Sequence, residues 1–316
     1  MSDYDPEIAA ALPRLTDGDP AVRRIALRDI ADYADDYPEL FSLAARDADA
    51  GVRLEAALAL EGASDDAAID ALVALLGDPD EDVIAAASTA LAEILDPAAA
   101  PALLRNLPRV QGEARAAVLA GLRQLRHPDA LAPALASLDD ALPAVRRAAV
   151  GVLAYLKNDT ALAALERRIV EDADPAVRKA AVAALTFAPA GSPLPSLLRA
   201  LKDSDWQVRH EAAITLGRVR PPDATDSLIA ALADPSWEVR QKAAAALGAY
   251  RVAQAIPALG EALDHPISNV RKEAASALGA IGDAAAIPAL ERAAADPDVE
   301  VRKIAGRALA QLTAKT

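Results

Sequence analysis

One pattern of apolar and polar positions recurs along the chain. Near its C-terminal end the sequence reads Asp296-Pro-Asp-Val-Glu-Val301-Arg302-Lys-Ile-Ala305-Gly-Arg-Ala308-Leu309. Val precedes the Arg, and Ala, Ala and Leu follow it at +3, +6 and +7. On a helical period these positions form one apolar stripe. Val270-Arg271, Val239-Arg240, Val208-Arg209, Val177-Arg178, Val145-Arg146, Val52-Arg53 and Val22-Arg23 head further copies. Two copies are degenerate, with Ile84 in the Arg position after Val83, and Ala114 in the Val position before Arg115. The spacing between Arg53 and Arg302 averages about 31 residues, room for one helix pair per copy.

A shorter apolar segment precedes each stripe, as in Ala255-Ile256-Pro257-Ala258-Leu259 and Ala286-Ile287-Pro288-Ala289-Leu290. Asp19-Pro20, Asp78-Pro79, Asp174-Pro175, Asp234-Pro235 and Asp296-Pro297 predict the starts of the second helices. Asp can cap free N–H groups there, and Pro fits the first helical position. Gly217, Gly248 and Gly279 read as aids to the turn at the far end. A helix pair this small cannot bury both faces, so the pairs must stack.

This pattern resembles the HEAT-repeat family, specifically the short HEAT-like repeats of the phycobilisome-lyase type, over about residues 5 to 313. The expected fold is all-α, a right-handed α-solenoid (α/α superhelix) of about ten HEAT-like helix pairs forming one solenoid over residues 1–316. The resemblance implies that the second helices line the concave face. It also implies that repeated Asp and Arg residues link neighbouring units, which makes Arg178, Arg209, Arg240, Arg271 and Arg302 a structural ladder broken at Ile84.

Charge adds a gradient. Residues 1–100 carry 6 Lys and Arg against 23 Asp and Glu, a net of −17, whereas residues 101–316 carry 27 against 24, a net of +3. An acidic field disfavours nucleic acid and anionic membranes. It fits a basic partner, or simply solubility. No Cys is present, which removes disulfides, thiolate metal sites and Cys nucleophiles. The acidic start of the chain lacks the features of a signal peptide, and no apolar run is long enough to span a bilayer. The expected protein is a cytoplasmic monomer that binds neither nucleic acid nor membrane.

No catalytic constellation emerges. His127, His210 and His265 have no metal-ligand spacing. His210-Glu211 resembles one of the His-Glu pairs that hold the di-iron centre of deoxyhypusine hydroxylase, but Lys179-Ala180, Gln241-Lys242 and Lys272-Glu273 occupy the matching positions. The chain is therefore expected to be a non-enzymatic scaffold or adaptor for a partner protein or peptide, without a cofactor. The alternative is a lyase-like or cofactor-handling accessory subunit acting on a prosthetic group.

The residue after each ladder Arg should project from its helix. Arg147, Lys179, His210, Lys272 and Lys303 then form a candidate basic stripe for an acidic segment, or else ordinary solvated charge. Trp206 and Trp237 lie at equivalent places in adjacent units, where they could grip a partner or cover their own loops. Tyr33, Tyr37 and Phe41, amid acidic residues, read as a packed lid over the first units or as a docking patch.

Overall fold

A computed structural model of the chain describes residues 4–314, in which all regular structure is helical. It contains two compact units, Met1–Leu156 and Lys157–Thr316. In the first, α1 (Pro6–Leu15) pairs with α2 (Pro20–Asp29), α3 (Pro38–Ala44) with α4 (Ala50–Ala59), and α5 (Asp66–Leu75) with α6 (Glu81–Ala92). There α7 (Ala100–Asn106) pairs with α8 (Gly112–Leu125), and α9 (Leu131–Ser137) with α10 (Pro143–Leu156). In the second unit α11 (Leu162–Glu171) pairs with α12 (Pro175–Ala184), and α13 (Pro195–Ala200) with α14 (Trp206–Val219). The last pairs are α15 (Thr225–Ala231) with α16 (Trp237–Tyr250), α17 (Ile256–Ala262) with α18 (Ser268–Ile281), and α19 (Ile287–Ala293) with α20 (Val299–Thr313). Each unit thus holds five helix pairs among the described residues.

The second helices stack in chain order, α2 through α10 in one unit and α12 through α20 in the other. The repeated stripe explains why. Val208, Ala212 and Leu216 on α14 are fully buried, as are Val239, Ala243 and Leu247 on α16. A fully buried Val or Leu contributes roughly 1.5–3 kcal/mol, and the Ala positions let neighbouring backbones draw close.

The helix starts differ in part from the sequence expectation. Asp19 and Asp174 do cap α2 and α12, with Pro at the first helical position. Before α6, α16 and α20, however, the cap residue lies two positions beyond the Asp-Pro step, at Asp80, Ser236 and Asp298. Asp80 and Asp298 accept from first-turn N–H groups there, whereas the Ser236 side chain makes no such bond. Asp78, Asp234 and Asp296 are thereby released for another role.

The glycines also depart from the expectation, because Gly217, Gly248 and Gly279 lie inside α14, α16 and α18. A Cβ on Gly248 would stand 2.9 Å from Ala277 Cα, and one on Gly279 would stand 2.7 Å from Ala308 Cβ. These residues serve close helix approach, not chain reversal. The reversals after α8, α14 and α16 use left-handed residues that are Arg: Arg126, Arg220 and Arg251. A cation at a helix C-terminus opposes the negative end of the helix dipole, which offsets part of the cost of a left-handed side-chain residue.

At the N-terminal end Phe41 is fully buried in α3. Tyr37 Oη accepts from the Asp5 N–H at 3.3 Å, and Tyr33 Oη donates to Glu7 at 3.0 Å. These contacts tie the start of α1 to the segment between α2 and α3. No single described helix is long and apolar enough to cross a membrane.

Replacing Gly248 by Ala should destabilise the protein by about 1–3 kcal/mol through overpacking against Ala277. Gly306→Ala, in an open position of α20, should instead stabilise it by about 0.5–1 kcal/mol. Denaturant unfolding of the two variants checks both signs, and equal effects would contradict the packing account.

Candidate functional site

Asp78, Asp234 and Asp296 form rungs between consecutive helix pairs. Arg53 on α4 donates through Nε and Nη2 to the two carboxylate oxygens of Asp78, at 2.6 and 2.8 Å. The same bidentate fork joins Arg23 to Asp47, Arg178 to Asp203, Arg209 to Asp234 and Arg271 to Asp296, at 2.6–2.9 Å. Nη1 of each Arg turns back to two carbonyls of its own loop, for Arg209 those of Asp203 and Ser204. Each carboxylate also accepts from the N–H two residues on, as Asp203 does from Asp205 at 2.9 Å. One Asp thus receives the preceding Arg on its carboxylate and its own unit's Arg on its carbonyl. Hydrogen bonds to charged groups contribute about 1.5–3 kcal/mol, and a bidentate fork fixes geometry as well.

The ladder is incomplete. Ile84 cannot donate, and the residue 25 positions on, where the Asp would stand, is the exposed Arg109. Arg115 reaches Asp140 only at 3.9 Å. Arg240, expected in the ladder, has no carboxylate partner among the described residues: the corresponding position holds His265, and Arg240 Nε donates to the Asp234 carbonyl instead. Arg302 belongs to the last described pair and bonds only to the carbonyls of Asp296 and Pro297 among the described residues.

Arg147 is exposed on α10 of the first unit. The other stripe candidates lie in the second unit, one to a helix. Lys179 on α12 donates to Gln207 at 3.2 Å. Half-buried His210 on α14 is held neutral by burial and then by the charges of Lys242 and Lys179. Lys272 stands 3.5 Å from Asp298, and Lys303 stands 2.8 Å from Glu300. The row therefore divides: the charges of Lys179 and Lys242 flank the uncharged His210, while Asp298 at the cap of α20 and Glu300 within it balance Lys272 and Lys303. Sequence reasoning weighed Glu211, Lys242 and Glu273, one position further along each helix, only as metal-ligand positions and not as part of the surface row. Burial raises the pKa of both Glu211 and Glu273. Glu273 lines a depression of about 520 Å³ with Arg220, Arg251, Tyr250 and Ser276. Reading the second residue after each Arg would have found this alternation.

Trp206 and Trp237 open α14 and α16, two helices that pack together. Trp206 is 42% exposed and lies edge-on to His210 at 6.3 Å between ring centroids, whereas Trp237 is only partly exposed. His127 caps the short turn at Pro128–Ala130, accepting from Asp129 N–H at 3.3 Å. Among the described residues no three His, Asp or Glu side chains converge as metal ligands.

The profile of the HEAT repeats matches residues 37–109, 109–186, 168–235 and 225–310. The chain belongs to the HEAT-repeat family. No curated protein sequence matches it. Among solved structures, Kap95p in complex with RanGDP aligns with all of this HEAT-repeat chain at 17% identity and a TM-score of 0.65. The chain spans about half of that protein, 52% of its length. The YibA protein of E. coli aligns over 99% of this chain and 98% of its own, at 17% identity and a TM-score of 0.54. An engineered protein aligns over 98% and 99%, at 23% identity and a TM-score of 0.54. These likenesses show the α-solenoid fold.

Arg209→Ala should cost about 2–4 kcal/mol, because it leaves the Asp234 carboxylate buried without its cation. Arg302→Ala should cost under about 0.5 kcal/mol. Chemical unfolding of both variants makes the comparison. The rungs also set an acid limit. Hydrogen bonds from Arg53 and Arg271 hold Asp78 and Asp296 below the usual carboxylate range, against an opposing effect of burial. The unfolded chain then binds protons first, so this stabilisation is full above about pH 4 and is lost as pH falls through the lower folded-state values. Asp78→Asn should flatten that loss in a pH series of thermal midpoints.

Proposed function

We propose that this HEAT-repeat chain is a scaffold or adaptor that binds a partner protein or peptide, in assembly, maturation or regulation. The observation that carries the reading is the row of exposed and half-buried polar side chains presented by consecutive second helices of Lys157–Thr316. The charges of Lys179 and Lys242 flank the uncharged ring of His210 there, beside the exposed indole of Trp206. Aromatic and cationic side chains on a rigid surface are the usual anchors of protein interfaces. An acidic segment is the partner chemistry that this row fits. Solenoids of the same fold support the reading by analogy, since Kap95p is seen with RanGDP and with Nup1. In this reading the protein acts as a cytoplasmic monomer without a cofactor.

Affinity capture from the extract of the cell of origin tests the proposal, comparing wild type with a Trp206→Ala/Trp237→Ala double variant. A stoichiometric polypeptide should be retained by wild type and lost by a variant with unchanged circular dichroism. Absence of a specific partner from wild type would sink the scaffold reading, and equal retention would remove the tryptophans from the interface.

A further inference from the structure

The ladder has one gap that keeps its loop but lacks its charge. His265 stands where Asp would complete the Arg240 rung. Its Nδ1 accepts from the Ile267 N–H at 3.0 Å, as Asp234 accepts from Ser236 at 2.9 Å and Asp296 from Asp298 at 2.7 Å. Its carbonyl accepts from Arg271 Nη1 at 2.9 Å, as the Asp203 carbonyl accepts from Arg209. His265 therefore reproduces the turn that Asp makes elsewhere. With Nδ1 an acceptor, the ring proton sits on Nε2. Burial, then the charge of Arg240, keeps the ring neutral against the Ile267 hydrogen bond, and Arg271 adds to the effect.

Arg240 is left with a fork and no anion. Its Nη1 and Nη2 have no hydrogen-bond partner among the described residues. Arg240 and His265 together line an open depression of about 560 Å³, with Ile229, Leu232 and Val270. Glu261 and Asp264 line it too, yet neither forms a salt bridge with Arg240 among the described residues.

We propose that this depression binds an acidic side chain, Asp or Glu, of a bound peptide, with the Arg240 fork and His265 Nε2–H as donors. The occupant follows from the chain itself: the bidentate rungs of Arg23, Arg53, Arg178, Arg209 and Arg271 are each filled by an Asp carboxylate. A guanidinium with two free nitrogens matches a carboxylate in plane and in charge. The inference deepens the peptide-binding reading and rests on it for the source of the carboxylate.

The test uses the full isotope-labelled chain and follows arginine Nε–H signals by NMR. The probes are N-acetyl-Ala-Glu-Ala-amide, its Gln counterpart, and N-acetyl-Ala-Ala-Ala with a free C-terminus. The Glu peptide should shift the Arg240 signal saturably and leave those of Arg209 and Arg271 in place. The Gln peptide should bind at least about tenfold more weakly. His265→Asp, which supplies an internal carboxylate, should abolish the response and raise the thermal midpoint. Arg240→Gln, which removes the fork and with it that signal, should abolish the shifts that the Glu peptide causes in the backbone amide signals of residues 263–267, followed in the same titration. Four results would overturn the proposal: equal responses to Glu and Gln peptides, no saturable shift, a response confined to the free C-terminus, or one that survives in either variant. A positive titration with a failed partner capture would sink the scaffold reading and leave the site. The reverse would sink the site alone.

Discussion

A guanidinium fork closed on a carboxylate about 25 residues further along holds consecutive helix pairs of each unit in register. The stripe of Val, Ala and Leu makes stacking favourable, but an apolar stripe is non-directional and tolerates sliding. The fork supplies direction. It fixes the start of one second helix against the loop before the next, and the same Asp sets that loop through its bond to the N–H two residues on. A buried ion pair adds little net stability compared with a well-packed apolar substitute, whereas breaking one is costly. The rung is therefore best understood as a device for register.

Close helix approach depends on that register. Gly248 fits against Ala277, and Gly279 against Ala308, only when the second helices stand at one relative height. A shift of one residue would place larger side chains at these crossings. Ladder and small-residue contacts therefore constrain each other, which is why a chain with 3% aromatic residues can still build a dense core. The row of Lys179, His210 and Lys242 inherits its spacing from the same constraint.

The repeat period and the two-helix unit were legible because a stripe read ten times over outweighs any single degenerate copy. Errors arose where one residue type has two physical uses. Asp78, Asp234 and Asp296 read as caps because Asp before Pro suits a helix start, yet the cap lies two residues later and the first Asp faces an Arg. Gly248 read as a turn because glycine serves both reversals and close contacts, and only the packing partner distinguishes them. The missing anion of Arg240 was invisible locally, since its partner position lies 25 residues away. Aligning the loops rather than the helices would have exposed His265. The stripe was readable as a row of positions, but its division was not, because the acid that balances Lys272, Asp298, comes from the next helix pair.

Hydrogen exchange resolved by segment tests the register role of the rungs most directly. Residues 232–241 contain Asp234, whose carboxylate is closed on Arg209, whereas residues 263–272 contain His265, where the rung from Arg240 is missing. If the fork holds each loop on the preceding helix pair, segment 263–272 should exchange on the order of tenfold faster than segment 232–241 under native conditions. His265→Asp should bring the two together. Equal protection of the two segments in the wild-type protein would contradict the central role given to the ladder.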